Sequence, residues 1–232
     1  MDYKETGRGE NRCSPHNLGI FAELGNDFLG ILKNLESNSL NYAAPEAIYY
    51  AGEPATGVYI LRSGHVKLFK TTSAGKDQII RVVKPGEIFG FDGLVSELYN
   101  HSAVPLRQAE VCCIPVASLQ SLGAHKAEVE RLIMVRCIKE LQHADERLLE
   151  LGAKRSAERL ASFLLEWCEG VAPDKWTPLV LSRLEIAQLL GLTIETVSRL
   201  FALWKREGVI RELHQSIQIN DATQLKLRSL SN

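Results

Sequence analysis

The spacing of hydrophobic residues changes along the chain and divides the sequence into two regions. From residue 47 to residue 114, short runs of β-branched and aromatic residues alternate with turn-forming residues, and glycines recur at positions 52, 64, 75 and 86. Beyond Gly123 the apolar residues follow a helical spacing instead. Short strands separated by turns are typical of a β-roll, sandwich or barrel, so the pattern predicts a β domain followed by helices.

Strands are predicted in the first region at residues 47–50, 58–61, 66–69, 79–83 and 110–114. The segments 62–65 and 73–76 each contain a glycine that can take positive φ, so both are predicted hairpin turns. Residues 1–27 have the composition of an irregular segment, and residues 27–35 predict a short amphipathic helix.

A single long helix is predicted for residues 125–151, which contain neither Gly nor Pro. Its apolar residues recur at alternating intervals of 3 and 4 and form a heptad seam: Met134, Cys137, Leu141, Ala144, Leu148 and Leu151. A narrow seam suits a partner helix better than a globular core, which needs a broader apolar stripe. The seam therefore predicts a homodimer, and the alternative is a long helix packed on its own domain. Gly152 and the following Lys154 and Arg155 predict a hinge after this helix.

Two short helices joined by a glycine are predicted between residues 182 and 207. Ser182 caps the first helix with Glu185 at its third position, as in a capping box. Thr193 caps the second helix, which runs from residue 194 to residue 207. Steeply crossing helices pack through a small residue, a turn glycine and an aliphatic residue, which here are Ala187, Gly191 and Val197. The pattern predicts a helix-turn-helix.

The start of the second helix carries side chains suited to reading DNA bases. A recognition helix inserts its N-terminal residues into the major groove. Arg199 can donate to O6 and N7 of guanine, and Glu195 can accept from the amine of cytosine and orient Arg199 in an ion pair. Ser198 can contact a base or a phosphate. The alternative is a surface helix whose Glu and Arg pair in solvent.

Polar and basic residues around the same helices are predicted to contact the DNA backbone: Arg183, Thr193, Thr196, Lys205 and Arg206. Residues 209–211, which include the basic Arg211, and residues 216–219 predict a β-hairpin after Gly208. The module is therefore a predicted winged helix-turn-helix, and its predicted partner is double-stranded DNA.

The composition shows a modest difference in net charge between the C-terminal residues 153–232 and the rest of the chain. Of the 232 residues 45% are hydrophobic, and the net charge is −1. Residues 153–232 contain 11 Lys+Arg and 9 Asp+Glu, which gives +2, and the remainder carries −3. No apolar run reaches the ~18 residues of a membrane span, and the polar N-terminus does not resemble a secretory signal. The five cysteines are scattered along the chain and do not suggest a disulfide scaffold. We expect a cytoplasmic protein with no membrane partner.

Three segments resemble the Crp/Fnr superfamily of bacterial transcription regulators: YILRSG (59–64), PGEIFG (85–90) and LGLTIETVSR (190–199). The resemblance extends from about residue 40 to residue 219. Glu195, Ser198 and Arg199 match the E-x-x-S-R base readers of the Fnr/FixK branch. It implies an α+β fold with an N-terminal β-roll, which is a jelly-roll-like domain of the cyclic-nucleotide-binding type, a long dimerisation helix and a C-terminal winged helix-turn-helix.

The same resemblance implies the function and the domain organisation. It implies a dimer that binds an inverted repeat with TTGAT-like half-sites and that contacts RNA polymerase through exposed loops. The predicted domains are 1–27 (irregular), 28–123 (β-roll sensor), 124–152 (dimerisation helix) and 153–232 (winged helix-turn-helix). A constitutive regulator without a ligand is the alternative function. A cupin-like metalloenzyme is a remote alternative, because His65 and His101 lack a third ligand at a suitable spacing. We expect no enzyme.

The resemblance also bears on what the β-roll senses. Where the family grips a cyclic phosphate with an Arg-Ser or Arg-Thr pair, residues 100–103 read Asn-His-Ser-Ala. We therefore do not expect cyclic AMP, since a buried phosphate needs a cationic partner. The Fnr branch holds a [4Fe–4S] cluster on four cysteines. Cys13 and Cys112 resemble the first and last of these, but two ligands are missing, so we do not expect the cluster.

Two interpretations of the cysteines stay open. Cys13, His16 and Cys112 can form a sensor that binds a metal or undergoes thiol oxidation. Cys113 is excluded from it, because successive strand residues point to opposite faces. The favoured interpretation is that Cys112 or Cys113 is a small buried hydrophobic residue and that His16 is a lone loop residue.

Overall fold

The structure is a computed structural model and describes residues 13, 37–92, 96–120, 126–172 and 175–230. By its internal contacts the chain divides into two compact units, Met1–Cys137 and Ile138–Asn232. The predicted irregular segment (residues 1–27) and the predicted helix at 27–35 lie outside the described residues, with the exception of Cys13.

The first unit is built on an antiparallel sheet with the strand order β1-β5-β2-β3, and β4 pairs with β2. Its strands are β1 (Asn38–Ala43), β2 (Gly57–Thr71), β3 (Asp77–Val83), β4 (Ile88–Phe89) and β5 (Ser102–Pro115). Helix α1 (Val116–Gln120) follows β5 directly. The predicted β domain is confirmed, and so is the turn at 73–76, which joins β2 to β3.

The predicted hairpin turn at residues 62–65 is wrong, because β2 continues through it as one strand of 15 residues. The pairing of β2 with β5 shifts register on both sides of Ser63 and Gly64. Gly64 has φ +85, and a Cβ at this position would lie 2.1 Å from the carbonyl oxygen of Gln108. Glycine here allows a bulge that bends a continuing strand instead of a turn that ends it.

One further strand prediction is wrong, and one strand of the structure was not predicted. Residues 47–50 form no strand, and Tyr49 makes only an isolated bridge to Ala103. The edge strand β1 was not predicted, since its residues are mostly polar and only half-buried. It pairs along its whole length with β5, so that Ser39 lies opposite Cys112. The sequence of β1 carries no clear alternation because it packs on one neighbour at the edge of the sheet.

The core of the roll is a cluster of aliphatic and aromatic side chains that β2, β3, β4, β5 and the loops before β2 and β5 contribute: Ile48, Tyr49, Tyr59, Leu61, Val66, Leu68, Val83, Phe89, Tyr99, Ala103, Ala109 and Val111. Tyr99 closes one end of this core, because its hydroxyl donates to the carbonyl oxygen of Gly57 (2.8 Å). The same hydroxyl accepts from the backbone N–H groups of Thr56 and Gly57.

The long helix is α2 (Lys126–Ala153), and the boundary between the two units falls within it. It continues past the predicted end at Leu151 and through Gly152, and the break before the next helix lies at Lys154 and Arg155, which the predicted hinge includes. The arginine Arg159 explains the end that the helix does have. Its guanidinium donates to the carbonyl oxygens of Leu151 (2.5 Å) and Lys154 (2.9 Å), which satisfies acceptors that a helix C-terminus leaves open.

The second unit contains the predicted winged helix-turn-helix. After α2 come α3 (Ser156–Trp167), β6 (Thr177–Pro178), α4 (Arg183–Leu190), α5 (Ile194–Arg206), β7 (Ile210–Leu213), β8 (Ser216–Ile219) and α6 (Ala222–Ser229). The last helix, α6, was not predicted, and it packs on α3 through the buried Leu225. The strands form a small sheet in the order β6-β8-β7.

In the described part of the chain, no single helix is long and apolar enough to cross a membrane. Helices α4 and α5 pass the test of length and composition only as a pair that is bent by 110°. Several of their apolar side chains form the core of the second unit, among them Ile186, Leu190 and Trp204.

Candidate nucleic-acid interface

The first helix of the motif, α4, begins with the predicted capping box. The backbone N–H of Glu185 donates to the hydroxyl oxygen of Ser182 (3.2 Å), and the carboxylate of Glu185 accepts from the backbone N–H of Ser182 (2.9 Å). Each of these bonds satisfies a donor that the helix start would otherwise leave open. The prediction for this helix start is confirmed.

The turn between α4 and α5 is also as predicted. Gly191 has φ 62 and ψ 40, the left-handed conformation that glycine adopts without a Cβ penalty. The chain turns by 110° between the two helices. Ala187 and Val197 are both buried at the crossing, so the three predicted packing positions occupy the positions assigned to them.

The second helix, α5, has one buried and one exposed face. Its buried residues recur at helical spacing and pack into the unit: Val197, Leu200, Phe201 and Trp204. The predicted base readers Glu195, Ser198 and Arg199 are all exposed on the first two turns. Ile194, the first residue of the helix, is 41% exposed beside them. The structure therefore brings the three predicted readers together on one free helix end.

Glu195 differs from the prediction in one respect. Its carboxylate accepts hydrogen bonds from its own backbone N–H and from the Thr193 side chain, and these bonds lower the pKa of Glu195. No ion pair joins Glu195 to Arg199 among the described residues, so the predicted pairing is wrong for the free protein. The carboxylate bonds to the helix start rather than to Arg199, because the N–H groups of the helix start are fixed and close. The side chain stays ionised and able to accept.

The predicted backbone contacts divide into two groups. Thr193 and Thr196 stand at the helix start, where the Thr193 hydroxyl oxygen accepts from the backbone N–H of Thr196 (3.2 Å). Arg206 is exposed at the other end of α5. Arg183 and Lys205, in contrast, already form ion pairs with a carboxylate of the protein. Whether any of these residues contacts phosphate stays a prediction.

Glu212, on strand β7, is the residue that engages them. Its carboxylate accepts hydrogen bonds from the Arg183 guanidinium and from Lys205 Nζ (3.0 Å). Burial would raise the pKa of Glu212, but the hydrogen bond from Lys205 and the charge of Arg183 outweigh burial and lower it. The Arg183 guanidinium also lies 3.4 Å above the ring of Phe201. We call Arg183, Lys205 and Glu212 the Glu212 clamp, which joins α4, α5 and the wing.

The sequence analysis missed both Glu212 and Arg159. Arg159 Nη1 donates to the carbonyl oxygen of Leu190 (3.1 Å), the last residue of α4, while the same guanidinium caps α2. A Cβ on Gly191 would lie 3.4 Å from Leu151 Cδ2 and 3.6 Å from Arg159 Nη1. The end of α2 and the turn of the motif are therefore packed together through Arg159. No local sequence signal indicates this role, because the partners are distant along the chain.

In the first unit the structure links two of the three predicted sensor residues by a covalent bond. Cys13 and Cys112 form a disulfide with their Cα atoms 5.7 Å apart. Both are buried, with exposed fractions of 6% and 0%. Cys112 is buried as the favoured interpretation holds, but that interpretation is wrong in making it a mere packing residue. His16 lies outside the described residues.

Cys113 stands apart from this pair, as predicted. Its side chain occupies the space above Gly57, where a Cβ would come within 2.7 Å of the Cys113 sulfur. Within the described residues, no group of three or more His, Cys, Asp or Glu side chains could hold a metal ion. A four-thiolate iron–sulfur cluster does not fit two converging cysteines. That no such cofactor binds stays a prediction.

The stretch where the family grips a cyclic phosphate is occupied by internal contacts. The Tyr49 hydroxyl and His101 Nε2 lie 3.0 Å apart, and His101 Nδ1 lies 3.4 Å from an Asp92 oxygen. The hydroxyl oxygen of Ser102 accepts from the backbone N–H of Ala51. The rings of Tyr49 and Tyr99 stack at 3.7 Å. Burial, with a smaller effect of Asp92, raises the pKa of Tyr49, which keeps its hydroxyl neutral. That no cyclic AMP binds here stays a prediction.

The predicted dimer seam on α2 is exposed in the single chain. Met134, Leu141 and Leu148 are 64%, 63% and 67% exposed, and Cys137 and Ala144 are exposed as well. Leu151, at the end of the seam, is half-buried. Large apolar side chains at this exposure are uncommon on a helix that has no partner.

Comparison with known proteins decides the family. A cyclic nucleotide-binding domain model matches residues 39–126, and a Crp-like helix-turn-helix domain model matches residues 158–228. The chain is 34% identical over 185 residues to the transcriptional regulatory protein Btr of Bordetella pertussis, covering 78% of this chain and 76% of Btr. The protein belongs to the Crp/Fnr family of transcription regulators. The resemblance and fold class inferred from the sequence are confirmed.

Other Crp/Fnr proteins agree with this assignment. The transcriptional activator Anr of Pseudomonas aeruginosa is 32% identical over 185 residues, which cover 78% of this chain and 75% of Anr. The structure of FixK2 from Bradyrhizobium japonicum matches with a TM-score of 0.78 and 30% identity, covering 85% of this chain and all of that one. As Crp/Fnr proteins are transcription regulators, the protein binds DNA and the enzyme alternative does not apply.

Proposed function

We propose that this Crp/Fnr regulator binds, as a homodimer, an inverted repeat with TTGAT-like half-sites. The observation that carries the proposal is the placement of Glu195, Ser198 and Arg199 on one exposed end of α5, whose opposite face is buried. A recognition helix reads bases with this end. Two copies related by a two-fold axis would address half-sites whose centres lie about one helical turn apart.

Each reader has a base chemistry that suits the half-site. The Arg199 guanidinium can donate to O6 and N7 of the guanine, a bidentate contact that discriminates by about 1–3 kcal/mol. Glu195 is ionised and can accept from the cytosine amine of the paired strand, exchanging its bond to Thr193 for one to DNA. Ser198, on the same face, can donate or accept at a neighbouring base or phosphate.

Dimerisation is argued from the seam on α2. A second copy of the helix would cover Met134, Leu141 and Leu148, which the single chain leaves mostly exposed. The seam positions carry no charged residue, so nothing in them opposes association. We expect the dimer to persist in chelator, and a monomer peak in gel filtration under those conditions would contradict this.

Two further properties of the proposed regulator follow from its class. A DNA-binding regulator works where the chromosome is, so we infer a cytoplasmic location. We also infer contact with RNA polymerase through the loops at residues 96–101 and 170–178. A constitutive regulator remains the alternative. It differs in one observable, because purified protein would then bind the operator at nanomolar concentration without an effector, whatever its oxidation state.

The test is DNA binding measured on the inverted TTGAT duplex and on a scrambled duplex of equal composition. Arg199→Ala should lose about 1–3 kcal/mol on the TTGAT duplex and little on the scrambled one. Arg206→Ala is the matched control, since it removes the same charge from the exposed far end of the same helix. It should weaken binding to both duplexes alike. Equal losses from Arg199→Ala on both duplexes would refute base reading.

A further inference from the structure

The disulfide between Cys13 and Cys112 joins the N-terminal part of the chain to the middle of the sheet. Cys112 lies in β5, opposite Ser39 of β1 on one side and Ile60 of β2 on the other. The bond spans 99 residues of sequence. It therefore attaches a distant segment of chain to the central strand of the roll.

Cys13 is also held by its backbone at the start of β1. Its N–H donates to the carbonyl oxygen of Ser37 (3.3 Å), and the buried Ser37 hydroxyl donates to the carbonyl oxygen of Cys13 (3.0 Å). These two hydrogen bonds would persist when the sulfurs are reduced, and they keep the two thiols close. A pair preorganised in this way can close again without a search through the unfolded chain.

The setting of the protein argues for a reversible bond. A regulator that binds chromosomal DNA works in a compartment where glutathione and thioredoxin keep thiols reduced. Disulfides that form there are mostly transient and serve catalysis or redox sensing. Cys113 lies on the opposite face of β5, so Cys112 has one thiol partner among the described residues rather than the set a metal cluster needs.

We propose that Cys13 and Cys112 form a reversible dithiol–disulfide pair through which thiol oxidants change the DNA affinity of this regulator. In the oxidising direction the two thiols lose two electrons and two protons, and hydrogen peroxide accepts both and yields two water molecules. In the reducing direction two glutathione thiols attack in turn through a mixed disulfide and leave as glutathione disulfide. The effect on DNA affinity rests on the proposed function, whereas the chemistry of the pair does not.

Burial sets the rate at which the pair responds. Cys13 and Cys112 are both buried, so a reductant reaches the bond only when the structure around it opens locally. We expect a response over minutes or longer rather than seconds. Once the bond is broken, the two hydrogen bonds between Cys13 and Ser37 still link Cys13 to the start of β1.

The first measurement counts thiols in the full-length protein after equilibration in buffers of defined reduced and oxidised glutathione. Five cysteines should be alkylated under reducing conditions and only Cys113, Cys137 and Cys168 under oxidising ones. The oxidised sample should yield a peptide that joins Cys13 to Cys112. Cys113→Ser is the matched control on the neighbouring position, and it should retain the transition. Absence of the joined peptide would overturn the proposal.

The second measurement follows binding to the inverted TTGAT duplex across the same buffers. The affinity should change by about fivefold or more, with the midpoint found by thiol counting. Cys113→Ser should behave as wild type, whereas Cys13→Ser and Cys112→Ser should show one constant affinity. Cys13→Ser leaves β5 unaltered, so it tests the proposal even if Cys112→Ser fails to fold. If the DNA affinity of the wild-type protein is the same in oxidising and reducing buffers, the proposed redox regulation is refuted. If the protein shows no preference for the TTGAT duplex in any buffer, the proposed function is refuted.

Discussion

Replacing Glu212 in the Glu212 clamp distinguishes a structural role of this residue from an electrostatic one, because the two roles predict opposite changes in DNA affinity. Glu212→Gln keeps the size of the side chain but removes the charge that holds Arg183 and Lys205. Both cations stand beside the motif, one at the start of α4 and one near the end of α5. Freed from the carboxylate, they can turn towards DNA phosphates. We therefore expect the variant to bind DNA of any sequence more tightly than wild type at low salt.

The magnitude follows from counterion release. Each additional phosphate contact steepens the plot of log affinity against log salt by about 0.9. A dimer carries two clamps, so one freed cation per clamp adds about 1.8 to the slope, and two add about 3.6. With the smaller value, a fourfold rise in salt weakens the variant about twelvefold more than it weakens wild type. Stability should fall only by about 1 kcal/mol, because the clamp is partly exposed.

The assay is fluorescence anisotropy on TTGAT and scrambled duplexes over a salt series. Glu169→Gln removes the same unit charge from an exposed position after α3 and should leave the slope unchanged. Adding Lys205→Gln to Glu212→Gln should remove the contribution of Lys205 to the steeper slope. Weaker binding with an unaltered slope would refute the electrostatic reasoning, since that is what simple loosening of the wing produces.

Three further predictions concern local structure and can be checked by thermal unfolding. Thr193→Ala should cost about 1 kcal/mol, because α5 loses its capping oxygen, and should also weaken binding to the TTGAT duplex. Gly64→Ala should prevent correct packing of β2, whereas Gly75→Ala, with similar φ but open space, should cost only about 1–2 kcal/mol. The lowered pKa of Glu212 adds stability that is complete above its unfolded value of about 4.3 and is lost as pH falls through the folded value. The stability gap between wild type and Glu212→Gln should therefore close in acid.

Features that depend on neighbours in sequence could be predicted. The capping box of α4, the left-handed glycine between the helices and the Thr193 cap each involve residues a few positions apart, so the sequence contains all of their parts. The same holds for the alternation of buried and exposed positions on α5. This is why the sequence alone places the predicted base readers together on the exposed start of α5.

Features that depend on register or on distant partners could not be predicted. Gly64 has the sequence signal of a turn, and only its approach to Gln108 on β5 shows that the strand continues. Glu212 and Arg183 are 29 residues apart, and Cys13 and Cys112 are 99 residues apart. Such pairs form because the fold brings distant elements together, and the sequence around one partner does not indicate where the other partner lies.

The small net charge of the second unit implies that few phosphate contacts contribute to its DNA affinity. The net charge of residues 153–232 is only +2, and much of the cationic surface is engaged internally. Glu212 holds two cations of the motif, Glu207 pairs with Arg228, and Arg159 caps helices. The recognition helix and wing then present three exposed arginines per subunit: Arg199, Arg206 and Arg211. Arg199 is assigned to a base, so Arg206 and Arg211 supply four phosphate contacts per dimer and give a salt slope of about −4 on the TTGAT duplex. A slope much steeper than this would show that DNA displaces Glu212 from the clamp in the wild-type protein, and Glu212→Gln would then leave the slope unchanged.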